Sequence, residues 1–221
     1  MSSATPRFSA ILFDLDGTIV DSAPGITSTL RYTLDHLGLP VQTPAELLRW
    51  VGPPILDSFR DYGHLDADES RYALAVYRDK YAAEGVFDAT AYPGVLDVLR
   101  AVHAAGVPLS LATSKPESLA RLILEDLGVA DCFTEITGAS EDEVRSKKAD
   151  VVEEALRRLR DDGADLSNVV MVGDRIHDVE GAAAHGVPTI FVSWGYGTPD
   201  EADEALLTAA TAAELRAELG V

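Results

Sequence analysis

The chain has 221 residues, room for one α/β domain with an insertion, and its 47% hydrophobic content is ample for a core. A formal net charge of −19 repels nucleic acid and anionic lipid, which excludes a binder of phosphate backbones, and no apolar run reaches the roughly 18 to 20 residues that cross a bilayer. Cys132 is the only cysteine, so an internal disulfide is excluded; with a short polar start over residues 1–9 and no export pattern, a reducing, cytoplasmic setting is expected.

Residues 9–13 (SAILF) are a short apolar run of the kind that forms a buried parallel strand, and they end in Asp14-Leu15-Asp16-Gly17-Thr18. From 22 to 92 no strand pattern stands out. Ile26, Leu30, Leu34 and Leu37 recur at helical spacing, and 45–51, 55–62 and 69–83 read as helices, punctuated by Pro40, Pro44, Pro53-Pro54 and Gly63. Alternation begins after Pro93. A helix is expected over 94–105, a strand over 108–112, a helix over 116–127 and a weaker strand over 134–137. Beyond these, a helix over 149–159, a strand over 168–172, a helix over 178–185 and a strand over 187–192 are expected. The acidic, alanine-rich tail, 199–221, reads as short helices on the core edge. The pattern predicts an α/β fold: a doubly wound parallel sheet with a Rossmann-like core over 1–20 and 93–221, and an inserted all-helical cap over 21–92.

In such sheets ligands bind beyond the carboxyl ends of the strands, so the residues just past each apolar run matter most. Asp14 and Asp16 alternate on an extended segment and share a face, and Gly17 lets the chain turn. After the 168–172 run come Gly173-Asp174-Arg175-Ile176-His177-Asp178, with Asp178 one helical turn beyond Asp174. Four acids at one sheet edge repel one another unless a hard divalent cation sits among them. Thr113-Ser114-Lys115-Pro116 opens a helix, where hydroxyls and free N–H groups make an anion site. Lys147-Lys148 stand at another helix start, unfavourable to the helix dipole, and so point to an anionic partner.

Taken in order, Asp14-Leu15-Asp16-Gly17-Thr18, Thr113, Lys147-Lys148 and Gly173-Asp174 with Asp178 resemble the haloacid dehalogenase-like hydrolase superfamily over nearly the whole chain. The helical insert resembles its cap type one. Asp21-Ser22-Ala23-Pro24-Gly25-Ile26-Thr27, Val51-Gly52-Pro53-Pro54, Ala112-Thr113-Ser114-Lys115-Pro116 and Trp194-Gly195-Tyr196-Gly197 look most like its phosphoglycolate phosphatase-like and 5'-nucleotidase-like members. The resemblance implies a magnesium-dependent phosphatase of small phosphomonoesters. Asp14 would be the nucleophile that becomes an aspartyl-phosphate, and Asp16 the acid and then base. Thr113 and Ser114 would hold phosphoryl oxygens. Lys148 is the better match for the site lysine, although Ala149 stands where many members have proline. Asp14, the Asp16 carbonyl and Asp174 would bind Mg2+, with Asp178 ligating directly or through water.

Family dehalogenases lack an acid at the place of Asp16, so the resemblance favours phosphate esters. A phosphosugar mutase shares Asp16, and a phosphoacceptor module without turnover, as in response-regulator receivers, also clusters acids at strand ends. Lys80, the only lysine of the cap, lies in a charged Arg78-Asp79-Lys80 run that reads as a solvated face. Specificity is expected in the cap and in the 49–54 loop, including Gly52, with Arg49 or Arg78 reaching the leaving group. The expected partner is a small phosphorylated metabolite, with neither a nucleic acid polymer nor a membrane.

Overall fold

The computed structural model describes residues 6–40 and 42–221, so the reading of residues 1–9 as free of an export pattern falls in part outside them. The first strand, β1, is Ala10–Phe13. After it come the two-residue strand β2, Val20–Asp21, and helices α1, Ala23–His36, α2, Pro44–Leu48, α3, Ile55–Asp61, and α4, Ala67–Ala83. Strand β3, Thr90–Ala91, pairs antiparallel with β2. This corrects the expectation that 22–92 holds no strand. The ribbon is too short to leave an alternating pattern, yet it joins the chain as it leaves for the helical insert to the chain as it returns.

Alternation then sets in with α5, Val95–Ala104, β4, Leu109–Pro116, α6, Glu117–Asp126, and β5, Glu135–Ala139. Next come α7, Lys148–Asp161, β6, Val169–Gly173, α8, Ile176–Ala183, and β7, Thr189–Val192. The tail adds a sixth strand, β8, Leu207–Ala209, before α9, Ala212–Leu219. This corrects the expectation of a tail helical throughout, since β8 pairs with β7 at the sheet edge.

The six-stranded sheet has the order β5-β4-β1-β6-β7-β8, and every pairing in it is parallel. Side chains of β1 alternate between its faces. Ile11 and Phe13 join a cluster with Val98, Leu99, Ala120 and Leu215 of α5, α6 and α9, whereas Ala10 and Leu12 join Val151, Val152, Ala155 and Ala182 of α7 and α8. The first cluster continues without a break into the insert through Ile26, Leu30, Trp50, Phe59 and Tyr77. Strand order reverses beside β1, since the chain winds outward through β4 and β5 and then returns to β6 on its other side. That reversal opens a crevice at the carboxyl end of β1, where Asp14 stands.

Candidate active site

Three carboxylates meet in the crevice. One oxygen from each of Asp14, Asp174 and Asp178 lies within 4.8 Å of the others, and all three side chains are buried. Asp14 follows β1, Asp174 follows β6, and Asp178 stands in the first turn of α8. Asp178 Oδ2 accepts hydrogen bonds from the backbone N–H groups of Asp174 (3.1 Å) and Arg175 (3.0 Å), which fixes the turn between β6 and α8. Asp174 accepts from the Thr18 hydroxyl at 3.0 Å and from Tyr196 N at 2.7 Å. Gly17, at φ 85°, passes so close that a side-chain carbon there would overlap the Asp174 carboxylate.

Lys148, at the start of α7, faces this cluster. Its Nζ lies 2.7 Å from Asp14 Oδ1 and 2.8 Å from Asp178 Oδ1, while its aligned hydrogen bond goes to Ala112 O at 3.0 Å. Lys147, the other lysine of the pair, is exposed. Burial pushes the Asp14 carboxyl up to about 6; Lys148 opposes that rise, and Asp178 and Asp16 add to it. Burial also holds Asp174 well above the carboxylate range, with Asp178 and Asp14 adding to it. For Lys148, burial alone would lower the pKa, but the charges of Asp14 and Asp178 outweigh it and raise it.

Asp16 belongs to a second, separate ion pair. Both its oxygens accept from Lys115 Nζ at 2.9 Å, and Oδ1 also accepts from the Ser22 hydroxyl at 2.5 Å. Its carboxylate is therefore turned away from the three-acid cluster, which leaves only its main-chain carbonyl for an ion. The Lys115 ammonium lies 4.8 Å from the ring centre of Tyr81 on α4. Burial by itself would lower the Lys115 pKa; Asp16 and Tyr81 reverse the sign and raise it. The segment that carries Lys115 is irregular. Ala112 pairs with Thr137 and Pro116 with Ala139, so Thr113, Ser114 and Lys115 bulge out of the ladder. Thr113 is buried, and its hydroxyl accepts from Lys115 N at 3.3 Å.

The loop after β7 braces both groups. Trp194 Nε1 donates to Thr18 O at 3.1 Å. The Tyr196 hydroxyl accepts from Ser22 N and Ala23 N and donates to Asp21 Oδ1 at 2.8 Å, tying the start of α1 to the sheet.

Two cavities flank Ser114 and Pro53. The larger, about 350 Å³, is an open cleft walled by Tyr62, Lys147, Lys148 and His177 among others. The smaller, about 50 Å³, is lined by Asp16, Tyr77, Arg78, Tyr81, Lys115 and Glu143, with Gly52 in its wall. Gly52 sits at φ 106° with the Arg175 side chain against it. Arg49 is exposed, with its guanidinium 4.9 Å from the ring centre of Tyr62, and lines neither cavity. Arg78 does line the smaller one, but its guanidinium is committed to Glu143 and to Glu141 O. Lys80 is half-buried against Tyr32 and paired with Glu84, not freely solvated. Lys115, Ser22 and Arg175 fall within segments quoted from the sequence, but sequence reasoning gives none of them, nor Tyr81, a role in the site.

The donor set suits a hard divalent cation. Asp14 Oδ1 and Asp178 Oδ1 are buried without an aligned hydrogen-bond donor, and three carboxylates face one lysine. Oxygen-only ligands with spare lone pairs and excess negative charge are what magnesium or calcium takes.

Comparison with known proteins places this geometry. A family model described as haloacid dehalogenase-like hydrolase matches residues 11–192. A tyrosine-protein kinase, PtkA, of Mycobacterium tuberculosis is 44% identical over 215 residues, covering 96% of this chain and 72% of that protein. Its solved structure superposes with a TM-score of 0.80 at 41% identity, over 100% of both chains. A 5'-nucleotidase of Pseudomonas aeruginosa is 35% identical over 202 residues (91% and 90% covered). A phosphoglycolate phosphatase of Rhodospirillum rubrum is 38% identical over 197 residues (85% and 80% covered). Among the described residues no helix is long and apolar enough to cross a membrane.

Proposed function

The chain belongs to the haloacid dehalogenase-like hydrolase family as a phosphatase, and on that premise we propose that it hydrolyses a small phosphomonoester, of phosphoglycolate or nucleoside 5'-monophosphate type, through an aspartyl-phosphate on Asp14. The observation that carries the reading is the separation of two buried carboxylate–lysine units, Asp14 with Lys148 and Asp16 with Lys115, side by side at one sheet edge. One unit suits a nucleophile and the other an acid–base group.

Asp14 attacks phosphorus, the P–O ester bond breaks, and the electron pair leaves with the alcohol oxygen as Asp16 protonates it. Asp16, then a carboxylate, takes a proton from water as that water attacks the phosphorus and frees Asp14. Thr113, Ser114 and Lys148 hold the phosphoryl oxygens and offset their charge. Asp14, Asp174 and the Asp16 carbonyl would hold magnesium, with Asp178 direct or through water; bound there, the ion would stabilise charge on the transferring phosphoryl group. Residues 21–92 act as the cap and set specificity through the walls of the smaller cavity.

The test is a panel of phosphate esters with magnesium, run alongside acid quenching to trap phosphoprotein. Wild type releases inorganic phosphate and traps label on Asp14, and Asp14→Asn loses about 10⁴-fold or more in kcat. Turnover that survives Asp14→Asn ends the proposal.

The relative named a tyrosine-protein kinase supports a second reading, in which the phosphoryl group on Asp14 passes to a tyrosine hydroxyl instead of water. Asp16 would then accept the tyrosine proton. Incubation with ATP, magnesium and a tyrosine-containing protein separates the two: phosphotyrosine that accumulates faster than free phosphate favours transfer, and free phosphate alone favours hydrolysis.

A further inference from the structure

The smaller cavity lies on the leaving-group side of the site. Ser114 lines both cavities, but Asp16 lines only the smaller. An ester with its phosphorus at Asp14 and its leaving oxygen at Asp16 therefore sends its alcohol there. A volume of about 50 Å³ takes a few non-hydrogen atoms, the part of an alcohol nearest the ester bond. Among the described residues the charged groups of its wall cancel in pairs: Lys115 with Asp16 at 2.9 Å, and Arg78 with Glu143. Much of the remaining wall is apolar, with Ile26, Trp50, Ile55 and Leu119.

The second pair joins the cap to the core loop after β5. Glu143 stands at φ 62°, a left-handed conformation uncommon in a residue other than glycine. The loop is fixed in that shape by its own bonds. Ser140 N donates to Arg145 O at 2.7 Å, Arg145 N to the Ser140 hydroxyl at 3.0 Å, and Val144 N to Asp142 Oδ1 at 3.1 Å. Arg78, on α4 of the cap, also donates to Glu141 O at 3.1 Å. One loop thus holds the guanidinium through two acceptors, and a carboxylate arriving on a substrate must displace Glu143 or be buried beside it. Burying a carboxylate without a cation of its own is costly, and a like charge next to it adds to the cost.

We propose that Glu143 is a specificity-determining residue: by occupying Arg78 it restricts the site to phosphomonoesters of uncharged alcohols and turns away those whose alcohol carries a carboxylate. The proposal rests on the reading of Asp14 as nucleophile with Asp16 at the leaving oxygen, and narrows it. Of the ester types named there, it sets aside that of phosphoglycolate. Without the charge of Glu143, Arg78 becomes the free cation of the pocket, and the preference shifts toward carboxylates.

The test compares 2-phosphoglycolate with 2-hydroxyethyl phosphate, which differ only in a carboxylate against an uncharged CH2OH. Each is measured, with magnesium, as a competitor of the panel ester that wild type hydrolyses fastest (by its own KM where the two coincide). An inhibition constant is read whether or not the competitor is itself cleaved, and the ratio of two constants does not depend on how much of a preparation is folded. In wild type, 2-hydroxyethyl phosphate should bind at least about 10-fold more tightly. Glu143→Gln keeps the shape and frees the charge of Arg78, so that preference should fall at least about 10-fold, and adding Arg78→Met should restore it.

A weaker preference in wild type, a smaller fall in Glu143→Gln, or a double variant that stays like Glu143→Gln overturns the proposal, while an inactive Asp14→Asn leaves the site reading standing. Active Asp14→Asn, or a panel of which no ester is hydrolysed, overturns both.

Discussion

Asp14 is 3% exposed beside two further carboxylates, with one ammonium to face them. The arrangement suits a nucleophile and opposes folding. Burial, less the pull of Lys148 and plus the push of Asp178 and Asp16, carries the Asp14 pKa from 3.8 to about 6 in the native state without metal. The native state therefore holds this proton more tightly than the unfolded chain. The stability it confers is complete below about pH 4 and is lost as pH rises through about 6. Over that window the loss is on the order of 2 to 3 kcal/mol. Asp14→Asn removes the charge and keeps the shape, so it should be more stable than wild type at pH 7.5 in a chelator, by that order, and equal to it near pH 4. Urea unfolding at the two pH values checks this, and a variant no more stable at pH 7.5 contradicts it. The position of Asp14 is legible in sequence because a carboxylate directly after an apolar run can only emerge at a strand end. The resemblance favours Lys148 over Lys147, and the structure buries Lys148 and exposes Lys147. The partnership of Lys115 with Asp16 is not legible, since the two are 99 residues apart and meet through a bulge that no periodicity announces.

Among the elements, the junction of β4 with β5 positions most of the site. The bulge at Thr113–Lys115 needs β5 to come unusually close, and Gly138 is what allows it. A side-chain carbon on Gly138 would stand 2.6 Å from Lys115 O and 2.7 Å from Glu117 N, both main-chain atoms that cannot swing aside. Gly138→Ala should cost about 1–3 kcal/mol of stability by overpacking. It should also lower kcat by more than conserving the core would suggest, because the displaced segment carries Thr113, Ser114 and Lys115. Thermal unfolding and steady-state rates on one preparation test this; full activity at an unchanged midpoint contradicts it. The long elements around this junction, α5 to α7 and β4 with β6, lie close to their expected places because each carries a full apolar face with a glycine or proline near one end. The elements missed are short. β2 and β3 have two residues each, and β8 is a three-residue strand in an alanine-rich tail whose Leu207 is only partly buried. Strands of that length are fixed by what they pair with, so their own residues hold little trace of them.

At the scale of the whole molecule, a net charge of −19 and an uncompensated acid cluster act together. Like charges repel across the surface, and any added salt relieves that by screening. The cluster differs because it offers a specific site, so its relief saturates. A ligand held only by the native state adds about 2.7 kcal/mol at 100 times its dissociation constant. For a chain of this size that corresponds to roughly 5–10 °C in Tm. Magnesium should therefore raise Tm by that amount at pH 7.5, levelling off with concentration, while sodium chloride at equal ionic strength gives a smaller rise without a plateau. The sign of the pH effect comes from proton competition. Below about pH 6 Asp14 holds a proton in the native state, and burial together with its two acidic neighbours raises Asp174 in the same direction. A protonated carboxyl is a poor ligand for a hard cation. The magnesium increment should accordingly shrink between pH 7.5 and pH 5, even as the metal-free protein becomes more stable. Asp174→Asn should lose most of the saturable increment at pH 7.5 and keep the sodium chloride effect, because it removes a charged ligand without changing the surface field much. A magnesium increment that sodium chloride reproduces, or that grows toward pH 5, would mean that these three carboxylates hold no ion.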